Sequence, residues 1–170
     1  MFCNSLIKIS LGSPAWLDLG IRCEEMGRQV LQMAHVCNKL STVIPLVEEL
    51  HLEESSCGWK PEWEGDMKST QWLTLFRPFS AVRGLYIDER LVPLVAPALQ
   101  GLTCKRATEV LPALRLLVLV PHPYSPRLRL EDAEPFLKAR RFSNHPLTIQ
   151  IRDVLSTLHA IHPSCYLCMP

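Results

Sequence analysis

One nine-residue pattern recurs along this chain and leaves few folds open to it. IPLVEELHL, FSAVRGLYI and LPALRLLVL carry apolar residues at their first, fourth, seventh and ninth places. These are Ile44, Val47, Leu50 and Leu52; Phe79, Val82, Leu85 and Ile87; and Leu111, Leu114, Leu117 and Leu119. A fainter copy, LGSPAWLDL, has Leu11, Leu17 and Leu19 at three of the four places and Pro14 at the other. The seventh place falls at 17, 50, 85 and 117, at intervals of 33, 35 and 32 residues. Self-similarity at a near-constant period of this size marks stacked repeats, in which each unit buries its apolar side only against its neighbours.

The first two apolar places of the pattern suit a loop with inward anchors, and the last two suit a short strand whose alternate residues face the core. Helices between the strands would cover the back. Met26, Val30, Met33, Cys37, Leu40 and Ile44 step by four and three, with Glu24, Arg28, Gln32, His35 and Lys39 between them, which predicts an amphipathic helix of about five turns. SSCGWKPEWEGDMKS reads as a loop, followed by a capped helix from Thr70 through Trp72, Leu75 and Phe76. Leu91, Leu94, Val95, Ala98 and Leu102 share one face of a third helix, which Pro93 and Pro97 should shorten or kink. Beyond the Pro-rich PHPYSPR, EDAEPFLKARRF predicts a helix, and Leu147, Ile149 and Ile151 alternate as a final edge strand. The expected fold is α/β: a leucine-rich-repeat-like solenoid of short parallel strands alternating with covering helices, over residues 1–152.

A chain of 170 residues, 48% hydrophobic and 21% charged, can bury a core without disulfides or metals. Its net charge of +1 gives no electrostatic footprint for phosphate backbones, so nucleic acid is not an expected partner. The longest apolar run, LPALRLLVLV, is broken by Arg115 and falls short of the roughly 20 residues of a membrane span. Lys8 interrupts the apolar stretch near the N-terminus, which does not read as a secretory signal. Seven cysteines at irregular intervals are not a secreted disulfide framework. The expected location is intracellular, cytoplasmic or nuclear, with no membrane partner.

With these residues in view, the chain resembles a large family of basidiomycete fungal F-box or F-box-like proteins with degenerate leucine-rich repeats. QWLTLFRPFSAVRGLYI, LVPLVAPALQGL, RATEVLPALRLLVL and FLKARRFSNHPLTI carry the likeness in that order, and MGRQVLQMAHVCNKLSTVIPLVEELHL is similar to the family's preceding helix and strand. The resemblance covers roughly residues 17 to 150. It implies a horseshoe-like repeat domain and a role as substrate-recognition subunit of a cullin-based ubiquitin ligase. An F-box is a compact N-terminal helical module that docks the ligase's linker subunit, and the residues ahead of Leu17 are too few for one. The expectation is therefore the protein-binding part of such an adaptor without its F-box. The alternative is a truncated structural or regulatory paralogue, or a gene-model fragment, with no adaptor activity. Residues 153–170 match nothing in the family and read as a divergent, poorly ordered tail.

In a repeat stack the outward residues of the strands form a concave face, the natural place for a partner. Here they are Trp16 and Asp18; Glu49, His51 and Glu53; Gly84, Tyr86 and Asp88; Leu116, Val118 and Val120. Glu49, His51, Glu53, Tyr86, Asp88 and Val118 are the candidate contact residues, an apolar and aromatic patch rimmed by carboxylates that suits a basic, partly hydrophobic protein segment. A covered strand is the other reading of Leu116, Val118 and Val120, since fully apolar strands are usually buried on both faces. Trp59, Trp63 and Trp72 suit either an interface or a loop packed on its own helix. Lys138, Arg140 and Arg141 suit a solvated helix face or an anionic partner.

His159, His162, Cys165 and Cys168 fall at steps of three, but only Pro163 and Ser164 separate the two pairs. Structural zinc sites separate their pairs by a dozen or more residues so that the chain can turn around the ion, so no metal or other cofactor is expected. There is no Gly-rich phosphate loop, no GxSxG elbow and no HExxH pair, and enzymatic activity is not expected.

Overall fold

The three clear copies of the pattern become the same piece of structure in the computed structural model, which describes residues 5–12, 17–23, 26–54, 69–100, 109–121 and 147–152. Their strands are β3 (Glu49–Glu54), β4 (Gly84–Asp88) and β5 (Leu116–Val120), preceded by β1 (Ser5–Gly12) and β2 (Leu17–Cys23) and followed by β6 (Thr148–Ile151). All twelve apolar residues of the three copies are buried. Full burial of such a side chain contributes about 1.5–3 kcal/mol, which is why the pattern tolerates so little polarity.

Equivalent places of the pattern are also neighbours in space. Leu50 pairs with Leu85, Leu85 with Leu117 and Leu117 with Ile149, along parallel strands in the order β3-β4-β5-β6. At the strand entrances the fifth residue of each copy repeats one device. The Arg83 and Gly84 N–H groups donate to the Glu48 carbonyl at 2.8 and 3.1 Å, and those of Arg115 and Leu116 to the Arg83 carbonyl at 2.9 Å each. Thr148 donates to the Arg115 carbonyl at 2.9 Å and continues the series.

Helix α1 (Met26–Lys39) turns Val30, Met33, Ala34 and Cys37 inward, as its spacing predicts. Helix α2 (Ser69–Phe76) buries Trp72, Leu75 and Phe76. Helix α3 (Val92–Gln100) buries Val92, Val95, Ala98 and Leu99. The helices pack side by side, α1 on α2 and α2 on α3, and share one core with Leu50, Leu52, Leu85, Ile87, Leu117 and Leu119. Pro93 lies in the first turn of α3, where its missing N–H costs nothing, whereas Pro97 lies inside a helix of only nine residues. Leu111 opens the third copy with φ at 50°, a left-handed backbone that costs a leucine about 1–2 kcal/mol and is held by complete burial of its side chain.

The fainter copy at residues 11–19 does not form a further parallel repeat. β1 and β2 are an antiparallel hairpin, and β1 pairs antiparallel with β3, so the six strands run β2-β1-β3-β4-β5-β6. Leu19 still packs against the core, as the ninth place of the pattern requires, but it does so from the hairpin. The physical reason is the alternation in Ser5–Gly12, which supplies a strand able to pair with β3 directly, with Ile9 opposite Leu52 and Leu11 opposite Leu50. The loop with Trp59 and Trp63, the basic group Lys138, Arg140 and Arg141, Leu102, and the tail with His159, His162, Cys165 and Cys168 lie outside the described residues.

Candidate interaction face of the sheet

Because the helices take one face of the sheet, strand alternation leaves the other to Glu49, His51 and Glu53, to Gly84, Tyr86 and Asp88, to Leu116, Val118 and Val120, and to Thr148 and Gln150. His51, Tyr86, Val118 and Gln150 form one row across four strands.

At the centre of that row the His51 and Tyr86 rings stack with centroids 4.0 Å apart and planes 3° from parallel. Gly84 makes the Tyr86 pose possible. A Cβ there would lie 3.2 Å from the tyrosine ring edge, tighter than side chains normally tolerate. The ring therefore leans along the strand over bare backbone towards Glu49, whose carboxylate stands 3.6 Å from His51 Nε2. Burial lowers the imidazole pKa below its ordinary value against the pull of Glu49, and the Arg152 charge lowers it further, so His51 is held neutral. Burial raises the Tyr86 pKa, and the neighbouring Glu49 charge adds to the shift.

Arg152, just past β6, brings its guanidinium carbon 6.0 Å from the Tyr86 ring centroid, at the outer limit of a cation–π contact. Its side chain reaches back across β5 to do so. Val118 stands on β5 between Tyr86 and Gln150 and is only 4% exposed, so it is not the open contact residue that strand alternation alone offered. Glu53 is exposed at the end of β3, and Glu49 and Tyr86 are partly exposed.

Asp88, one of the carboxylates expected at the rim of the patch, is engaged by a neighbouring side chain. Arg90, in the 3-10 turn after β4, grips it through one edge of its guanidinium, Nε to Oδ1 at 3.0 Å and Nη2 to Oδ2 at 2.8 Å. Asp88 also caps that turn by accepting the Arg90 backbone N–H at 2.9 Å. Arg90 further donates to the Glu54 carbonyl oxygen and lies 3.7 Å from the Glu54 carboxylate, which ties the ends of β3 and β4 together. Burial opposes the guanidinium charge, but the Asp88 hydrogen bonds and charge, followed by the charges of Glu54 and Glu89, more than offset it and raise the Arg90 pKa. No sequence reading nominated Arg90. Its signal was an arginine two places after a strand-ending aspartate, in IDER.

The face that results is acidic along β3, aromatic at its centre and basic beyond β6. Trp72, one of three tryptophans offered as anchors, is completely buried in α2 against Phe76, at 5.9 Å between ring centroids. No described group of three or more His, Cys, Asp or Glu side chains could hold a metal ion. No described helix is long and apolar enough to cross a membrane. Compared with protein-family models, curated proteins and solved structures, the chain matches none.

Proposed function

We propose that the chain is a leucine-rich-repeat-like solenoid acting as a protein–protein interaction module. Its open sheet face takes a basic, partly hydrophobic segment of a partner protein. The observation that carries this reading is the coincidence of the sequence repeat with strand register: Leu50, Leu85 and Leu117 occupy the same place in the pattern and stack on neighbouring parallel strands. A stack built this way repeats its outward positions as well, and so presents an extended binding surface in place of a closed pocket. Glu49 and Glu53 supply negative charge at one side of that surface, and the His51–Tyr86 pair supplies rigid aromatic area.

The resemblance to F-box-like repeat proteins supports reading this module as the substrate-recognition part of a cullin-based ubiquitin ligase adaptor whose linker contact comes from another chain. Quantitative affinity capture with the tagged chain and with a Glu49→Lys, Tyr86→Ala variant tests both levels. The expected result is co-purification of the cullin linker subunit with both baits and loss of one or more protein partners from the variant alone. Identical partner sets for the two baits would overturn the assignment of the face. Absence of the linker subunit from both would overturn the ligase context.

A further inference from the structure

Among the described residues the sheet ends at β6, whose outer edge is suited to receive a strand. The Thr148 and Arg152 N–H groups donate inward, to the carbonyls of Arg115, just ahead of β5, and of Leu119 in β5 at 2.9 and 3.0 Å. Backbone polar groups of alternate residues in a strand point to opposite sides, so Ile149 and Ile151 turn their N–H and C=O groups away from β5. Among the described residues no strand lies beyond them. Thr148, Gln150, Ile151 and Arg152 are exposed, with Ile151 at 46%, one of the few large apolar side chains among the described residues to be so. An unpaired edge carrying an exposed isoleucine is a template for pairing.

We propose that β6 pairs antiparallel with β6 of a second copy of this chain, about a two-fold axis through Gln150. In that register Ile149 lies opposite Ile151 of the other copy and Ile151 opposite its Ile149. These are the residues whose polar groups face outward, so each opposed pair exchanges two hydrogen bonds and every outward N–H and C=O of Ile149 and Ile151 finds a partner. Side chains opposed across a ladder share a face, so the exposed Ile151 gains an apolar neighbour in Ile149, which already packs against the core. Arg152 falls opposite Thr148, and the two arginines are kept apart. A one-residue slip would set outward-pointing groups against inward-pointing ones. A two-residue slip would oppose Ile151 to residue 147, outside the strand, in one direction, and in the other would oppose the two Ile151 residues and leave Ile149 opposite residue 153, also outside the strand. The contact is isologous and closes at two copies, and it involves neither the stacked His51 and Tyr86 rings nor a partner protein.

Cysteine cross-linking of the full chain reads the register directly. Gln150 faces Gln150 of the other copy as a pair without hydrogen bonds, with Cα atoms about 4.5 Å apart, within reach of a disulfide. Thr148 of one copy lies four residues from Thr148 of the other, about 13 Å away and out of reach. Under mild oxidation, with linked peptides identified by mass spectrometry, Gln150→Cys is expected to give at least about tenfold more symmetric cross-link than Thr148→Cys. Adding Ile151→Lys is expected to return Gln150→Cys to the Thr148→Cys level. Sedimentation of the unmodified chain is expected to show a concentration-dependent dimer. Equal cross-linking at the two positions overturns the proposal. So does a chain that sediments as a monomer at every concentration, including the case in which the edge serves a strand from a different protein.

Discussion

Replacing Arg90 with methionine keeps most of the side-chain volume and removes the charge that holds the ends of β3 and β4 together. The Arg90 side chain is 7% exposed, and those of its partners Glu54 and Asp88 are 6% and 12% exposed. Glu89, whose charge also supports the guanidinium, is 5% exposed. The variant leaves these carboxylates out of water without their cation, a change that costs about 3–5 kcal/mol for a buried pair, against about 0–1 kcal/mol for a surface one. A domain of ordinary stability has about 5–15 kcal/mol in all, so the loss is a large share of the total. Urea unfolding followed by far-UV circular dichroism measures it, with the expected midpoint shift at unchanged slope. Asp88→Asn combined with Arg90→Met should lose less than the sum of the two single changes, because each removes the same interaction. A loss below about 1 kcal/mol for Arg90→Met would show that the cluster behaves as a solvated surface pair and would refute the reasoning.

Leu85→Ala empties the seventh place of the middle copy, which is completely buried, and should cost about 2–5 kcal/mol, whereas the same change at the partly buried Ile149 should cost less; thermal unfolding of both variants measures the order. The His51 pKa is lowered in the folded state, so its contribution is complete above the unfolded value of about 6.5 and is lost as the pH falls from there through the folded value. His51→Phe should therefore flatten the fall of stability on the acid side, as read from unfolding midpoints across a pH series. Burial pushes the Cys37 thiol up to about 11, so alkylation at pH 8 should spare Cys37 in the folded chain and modify it in denaturant, as peptide mass mapping will report.

The pattern at residues 44–52, 79–87 and 111–119 was legible because burial acts on each residue alone: a place that faces the core must be apolar in every copy. The helix from Met26 was legible for the same reason, through its three-and-four spacing. What escaped was set by partners far along the chain. Arg90 meets the Glu54 carbonyl 36 residues away, a contact with no local signature. Val118 belongs to an outward position by alternation alone, yet it is buried on β5 between Tyr86 on β4 and Gln150 on β6. The hairpin of β1 and β2 was hidden because Lys8 made Ser5–Gly12 look like an interrupted apolar run, although the same residue fits the alternation of a strand.

The proposed function seats a protein partner on the open face of the sheet. Hydroxyl-radical footprinting of the chain with and without a captured partner tests it most directly. Oxidation of Tyr86 and His51 is expected to fall several-fold on binding, while Leu31 and Leu46, exposed elsewhere, are unchanged. Protection of Leu31 or Leu46 with Tyr86 unaltered would contradict it.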